Sequence, residues 1–265
     1  MSVIRDDIKT LAFYRKKDYP NRVVFFRYKG IFMRINKYLS GCGIDSRRKC
    51  EQLVLDGRVK INGKKATELA TDVKDGDYVE VDGHAVTVAH KLVYIMLNKP
   101  KGCICSLSDE HGRKTVLDIV KVKERIFPVG RLDYDTEGLL LLTNDGELAN
   151  KLAHPSSGVK KTYYVRVEGV PTAAELKRLR DGVTFGGVKY AGAEVSIVDE
   201  DGGNARLSVT ISEGKNHEIK NMIESLGRRV MLLKRVALGG LRLGGLSRGE
   251  WRYLSARETE RLKAL

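Results

Sequence analysis

Residues 137–146 read "EGLLLLTNDG", and the four leucines at 139–142 constrain the fold more than any other stretch. A run of four apolar residues, closed by Gly138 before it and Asn144-Asp145-Gly146 after it, is too short for a buried helix. It also lacks the polar–apolar alternation of a strand with one wet face. It reads as a strand buried on both faces, which needs apolar cover above and below. "YIMLNKPKGCICS" predicts a strand running into a Pro-Gly turn, and "YYVRV", "EVSIV" and "ARLSVTIS" predict further strands. "TAAELKRLRDG" and "NHEIKNMIESLG" predict helices. Strands outnumber helices and there is no steady strand–helix–strand alternation. The expectation is an α+β domain over residues 93–265, with a mainly antiparallel mixed sheet flanked by helices.

The charge balance points to a partner. Lys+Arg is 48 against Asp+Glu 34, the formal net charge is +14 and the pI is about 9.6. That excess is the footprint of a nucleic-acid binder. No apolar run approaches the ~18 residues needed to cross a membrane, and no secretory core opens the chain. A cytoplasmic protein without a membrane partner is expected. Cys42, Cys50, Cys103 and Cys105 are too few for a disulfide scaffold, and Cys103-Ile104-Cys105 followed by His111 does not complete a zinc set.

A smaller module precedes the large domain, over residues 33–90. Ile35, Tyr38, Leu39 and Cys42 form one helical face, which Gly43 can end. Ser46 can cap a second helix with Cys50, Leu53 and Val54 inside. "RVKINGKKA" then alternates around Asn62-Gly63, a strong hairpin signal, and "DYVEVDG" adds a strand. Residues 33–65 hold nine cations (Arg34, Lys37, Arg47, Arg48, Lys49, Arg58, Lys60, Lys64 and Lys65) against Asp45, Glu51 and Asp56. A cationic helix start beside a basic hairpin suits one phosphate backbone. The stretch from Met33 to Ala66 resembles an S4 domain, which implies grip on structured RNA through shape and phosphates. Residues 1–32 fit this pattern poorly. They read as an extension that precedes a natural start at Met33, or else as an RNA-binding arm.

Asp133, Asp135 and Glu137 crowd together in this basic chain. Asp133-x-Asp135-x-Glu137-Gly138 mimics the opening of a calcium loop, but its twelfth position is Asn144 where a bidentate Glu belongs. Magnesium on two of the carboxylates is the remaining metal reading, and no metal is expected. Asp135 and Glu137 suit a surface turn. Asp133 lies between "IFPVGRL" and the leucine run, where an unpaired carboxylate is costly to desolvate. Arg131 is close in sequence. Lys220 is a distant candidate partner, at the edge of the stripe Ile219, Met222, Ile223 and Leu226 that Gly227 closes. Alternation in "KTYYVRV" puts Tyr163 on the apolar face with Val165 and Val167.

"VGRLDYDTEGLLLLTNDGELANKLAHP", "KTYYVRV" and "EGKNHEIKNMIESLGRRVMLLKRVALGGLRLGGL" resemble the ribosomal pseudouridine synthases that carry an N-terminal S4 domain. The resemblance spans about residues 33–255, and Gly130-Arg131-Leu132-Asp133 is its most specific motif. It implies that Asp133 is the catalytic aspartate, Tyr163 the tyrosine that packs on the target base, and Lys220 the cation paired with the aspartate. It also nominates Ile219, Arg131, Asn216 and His217 for contact with substrate. "HEIKNM" departs from the commoner "RQIRRM" or "HQVKRM": Glu218 and Asn221 lower the local positive charge. The implied reaction detaches uracil from C1′, turns it and rejoins it through C5, with no cofactor. The substrate is ribosomal RNA or an assembly intermediate, and the enzyme acts as a monomer. The leucine run and "TNDGELANKLAHP" lean toward large-subunit RNA. The alternatives are the same chemistry on small-subunit RNA, or a non-catalytic S4-type RNA-binding protein.

Overall fold

The computed structural model describes residues 33–88 and 91–265; the extension expected at 1–32 lies outside them. The chain divides into two units, one reaching to Ser40 and resuming over Asp45–Thr87, the other comprising Val88–Leu265 with Gly41–Ile44.

In the first unit, helix Ile35–Gly41 buries Ile35 and Leu39, and helix Arg47–Leu55 buries Cys50 and Val54. The Ser46 hydroxyl accepts from the Lys49 N–H and caps the second helix. Val59–Ile61 pairs with Lys64–Lys65 across the Asn62-Gly63 turn and with Val79–Val81 on its other side. Asn62 (φ 50°) and Gly63 (φ 78°) take the left-handed geometry that turn needs. A small core of Ile35, Leu39, Cys50, Val54, Val59, Val73, Val79 and Val81 closes the unit.

The second unit is α+β and is built on a nine-stranded sheet. Its main path runs Glu194–Asp201, Asn204–Ile211, Lys161–Val167, Val230–Leu238, Glu137–Thr143, Tyr94–Lys99 and Trp251–Tyr253. All pairings along it are antiparallel except that between Val230–Leu238 and the leucine strand Glu137–Thr143.

The leucine strand explains the layering. All four leucines are fully buried. Leu140 and Leu142 enter one core with Ile95, Leu97, Tyr163, Val165, Leu176, Leu179 and Ile219. Leu139 and Leu141 enter the opposite core with Tyr94, Met96, Leu148, Leu152 and Leu262. Helices Ala173–Asp181 and Glu218–Glu224 supply apolar residues to the first face, and helices Gly146–Ala153 and Ala256–Lys263 to the second. Gly138 sits at the parallel junction with φ 106°; a side chain there would strike the backbone of Arg235. Glycine thus brings the start of the leucine strand, and the acidic turn before it, against the Arg235 strand.

Candidate active site

The acidic turn is held from beneath by a lysine. Lys99 ends its strand fully buried, and its ammonium donates to the carbonyls of Asp133 (2.9 Å), Thr136 (2.9 Å) and Pro100 (3.1 Å). Burial pulls its pKa down, with the nearby thiols and carboxylates opposing. The Thr136 N–H closes the turn on the Asp133 carbonyl at 3.1 Å, and Gly102 N–H donates to Tyr134 O at 2.9 Å. The Cys105 sulfur lies 3.4 Å from both the N and O of Leu132. Backbone geometry from Leu132 to Thr136 is therefore held by the Lys99 and Cys105 side chains and by the Gly102 N–H.

The Asp133 carboxylate meets two groups from the segment 217–220. Lys220 Nζ lies 3.0 Å from Asp133 Oδ2, and His217 Nε2 lies 3.5 Å from Oδ1. Helix Glu218–Glu224 places Lys220 as the stripe predicts: Ile219, Met222 and Ile223 are buried, and Lys220 stands at their edge. Arg131, the sequence-near candidate, is exposed and is not the partner. Lys220 is also 2.6 Å from Asp135. Burial pulls the Lys220 ammonium down, but its bonds to Asp135 and Asp133 prevail and the net direction is upward. Burial likewise lifts Asp135, and the Lys220 bond outweighs it, so this carboxyl is held below its ordinary value.

Beside the carboxylate opens a cavity of about 120 Å³. That is well below the ~300–1,000 Å³ of sites for drug-sized ligands and nearer the scale of one ring. Tyr163, Ile219 and Leu233 give it apolar walls, and Arg131, Asp133, Thr136, Lys161, His217, Glu218 and Arg235 line it with polar groups. Tyr163 is 8% exposed, enough to present part of its ring. The structure thus gathers Asp133, Tyr163, Ile219, Arg131 and His217 around one cavity, with Lys220 on the carboxylate. Asn216 is exposed and does not line it.

Two expectations need correction. Glu137 is not in a surface turn: it opens the leucine strand, is 3% exposed and pairs with Arg248 at 3.2 Å. Glu218 does not weaken an RNA-facing surface. It is buried, its carboxylate accepts from Lys215 N–H at 2.8 Å, and burial raises its pKa. Asn221 is likewise engaged, donating to the Tyr190 hydroxyl at 2.6 Å. Three site residues escaped the sequence reading: Lys99, Lys161 and Arg235. Alternation carried a signal for the last two, since Lys161 shares a face with Tyr163 and Val165, and Arg235 with Leu233.

The first unit spreads its cations unevenly. Arg47, Arg48, Lys60 and Lys64 are exposed with no carboxylate partner among the described residues. Arg58 makes a two-pronged pair with Asp82 at 2.6 and 2.9 Å, and Arg34 binds the Ala70 carbonyl and Asp72. Lys49 lies 3.5 Å from Asp45, and Lys37 is only partly exposed.

A paired carboxylate beside a tyrosine-walled, ring-sized cavity, in a chain that also carries a unit with a cationic helix start and hairpin, suits an enzyme that acts on a single base of RNA. Comparison with known proteins agrees. Residues 93–225 match the model described as RNA pseudouridylate synthase, and residues 33–79 match the S4 domain. The ribosomal large subunit pseudouridine synthase B of Bacillus subtilis is 43% identical over 235 residues, covering 88% of this chain and 96% of that one. An uncharacterized RNA pseudouridine synthase of Aquifex aeolicus is 45% identical, covering 87% and 93%. A crystal structure of a pseudouridylate synthase superposes with a TM-score of 0.64 at 29% identity, over 87% of this chain and 99% of that one. The chain belongs to the RNA pseudouridine synthase family and carries an S4 RNA-binding domain.

Proposed function

We propose that this enzyme converts a uridine of large-subunit ribosomal RNA to pseudouridine in the cytoplasm, as a monomer, with Asp133 as the reacting group. The observation that carries the site reading is the Asp133–Lys220 pair at 3.0 Å on the rim of the Tyr163 cavity. The RNA assignment is supported by the relative of Bacillus subtilis, whose name specifies the large subunit.

The chemistry follows from the side chains. The target base leaves its stack at a cost of a few kcal/mol, and Tyr163 returns ~1–3 kcal/mol by stacking on it. Ile219 closes the other apolar wall. The Asp133 carboxylate then adds to C1′ or to C6, or removes the C2′ proton; each route starts from the same group, which pairs with Lys220 at 3.0 Å. The N1–C1′ bond breaks, the base turns, and C5 bonds to C1′. C5 then gives up its proton and N1 gains one, so substrate and product are isomers. Arg131 and His217 stand at the mouth to meet the flanking ribose and phosphates. Arg47, Arg48, Lys60 and Lys64 of the S4 unit hold the RNA backbone, with Lys37, Lys49, Arg34 and Arg58 beside them.

Pseudouridine mapping in both ribosomal RNAs, from cells with and without the gene, tests this. One large-subunit pseudouridine should vanish and return with the wild-type gene, but not with Asp133→Asn. Loss of a small-subunit pseudouridine instead would transfer the same chemistry to the other RNA. Unchanged maps would leave an RNA-binding role and refute the proposal.

A further inference from the structure

The cations of the cavity differ in what their donors already hold. Lys220 is bound by Asp133 and Asp135. Lys161, 7% exposed, donates to the carbonyls of Val159 (3.1 Å), Ser212 (3.4 Å) and Glu213 (2.7 Å). Three carbonyls take up the three donors of the Lys161 ammonium, and two carboxylates supply counter-charge to Lys220. Arg235 is different. It is 3% exposed and its Nε donates to the Leu139 carbonyl at 2.7 Å, but its buried Nη2 has no partner among the described residues. Among the described residues no carboxylate forms an ion pair with it. A buried guanidinium left without counter-charge is costly, and an unsatisfied buried donor asks for an explanation.

Register says where that donor lies. Arg235 is the direct cross-strand neighbour of Tyr163, so both side chains leave the same face of the sheet. Both line the cavity that Asp133 borders. The Nε bond to Leu139 anchors the guanidinium at the foot of the leucine strand. A base stacked on Tyr163 would therefore occupy the cavity that Arg235 also lines. Thr136 lines the same cavity, and its buried hydroxyl also has no partner among the described residues.

We propose that Arg235 donates through Nη2 to a carbonyl oxygen of the flipped uracil and holds the negative charge that builds there during the reaction. This rests on the reading of Asp133 as the reacting group. If Asp133 works at the sugar, the N1–C1′ electron pair stays with the base, and the resulting anion spreads its charge over O2 and O4. If Asp133 adds to C6, the electrons move to an enolate at O4. On either path a carbonyl oxygen becomes more negative in the transition state than in bound uridine. A fixed, water-excluded cation therefore favours the transition state over the ground state. The charge is discharged when C5 bonds to C1′, C5 releases its proton and N1 takes one up.

The test compares two leaving bases. Single-turnover loss of the N1 glycosidic bond is measured on RNA with uridine or 5-fluorouridine at the target position, for wild type, Arg235→Gln, Arg235→Lys and Asp133→Asn. RNA affinity and thermal melting are recorded alongside. Fluorine withdraws electrons and stabilises the base anion without help from the protein. Arg235→Gln should slow uridine by about 10²–10³-fold, as loss of one preorganised charge-stabilising donor does, with affinity unchanged. On 5-fluorouridine its deficit should be on the order of tenfold smaller, because a stabler anion needs less of the lost help. Arg235→Lys keeps the charge and should show the same ordering with a smaller deficit, so it decides the matter if the glutamine variant melts early. Equal deficits on both bases would mean that Arg235 only supports the fold, and no deficit would remove it from the reaction; either result overturns the proposal. Activity in Asp133→Asn would instead sink the underlying site reading, whatever Arg235 does.

Discussion

Lys220 serves two carboxylates, and their different surroundings separate their roles. Asp133 is 29% exposed at its side chain and lines the cavity; Asp135 is 64% exposed and does not. One ammonium gives both carboxylates a counter-charge, at 3.0 Å from Asp133 and 2.6 Å from Asp135. Asp133→Asn should therefore abolish pseudouridine formation, since no other carboxylate faces the ring site from the turn. Asp135→Asn should leave substantial turnover, because Lys220 still meets Asp133. Pseudouridine scored by chemical mapping on protein-free RNA checks both, and an active Asp133→Asn beside a dead Asp135→Asn would move the catalytic role two residues along. Asp133 and Lys220 were legible in sequence because their neighbours are apolar: a carboxylate against a leucine run needs a partner, and a lysine at the edge of a helical stripe can reach one. Alternation put Arg235 on the face of Leu233, but neither it nor Lys99 showed its partner in the sequence. Apart from the adjacent Pro100 carbonyl, their acceptors are backbone carbonyls 34, 37 and 96 positions away, which only the folded sheet brings near.

At the scale of elements, the strands with strict patterns were readable and the pieces tied by tertiary pairs were not. The leucine strand and Lys161–Val167 follow from composition and alternation alone. The short hairpin Val183–Phe185 with Val188–Tyr190, and the C-terminal helix Ala256–Lys263, were not foreseen: three-residue strands and an eight-residue helix carry too little periodicity to stand out. Helix Ala173–Asp181, which its sequence does predict, shows how a short element is secured. Thr172 and Glu175 form a capping box, and Arg228 reaches Glu175 through two hydrogen bonds of 3.0 Å. The Arg228 bonds, with the Thr172 backbone N–H next, hold the Glu175 carboxyl at about 2, below the ordinary 4.5. A depressed carboxyl pKa stabilises the fold above the ordinary value, and that contribution is lost as pH falls through the folded value. Glu175→Gln should cost roughly 1–2 kcal/mol at neutral pH. The gap between wild type and variant should close as pH drops from about 4.5 toward 2. Urea denaturation at pH 7, 4 and 3 measures it, and a gap that stays constant would mean the carboxylate charge contributes nothing.

On the scale of the whole molecule, the charge that marks the chain as an RNA binder is not spread over its S4 unit. Residues 33–65 hold nine Lys and Arg against three acids, but residues 66–88 hold one Lys against six acids. The unit is nearly neutral in sum and strongly polarised along its sequence. Asp72 and Asp82 turn back to engage Arg34 and Arg58, so RNA would have to displace those acids to use them. Arg47, Arg48, Lys60 and Lys64 remain available without that exchange. Four phosphates neutralised give a log–log salt slope of roughly −3 to −4. The S4 unit has its own core, and both faces of the catalytic sheet are covered by residues beyond Val88, so removal of residues 33–90 should leave that sheet folded. The truncated protein should keep the circular dichroism of its sheet, bind ribosomal RNA more weakly, and lose about 3 to 4 from the salt slope. Full-length protein with Arg47, Arg48, Lys60 and Lys64 all changed to Gln should lose the same amount, whereas Arg34→Gln with Arg58→Gln should change it little. RNA affinity measured across a salt series compares the three proteins. An unchanged slope in the truncation would mean that the +14 charge is felt by RNA through the catalytic unit instead.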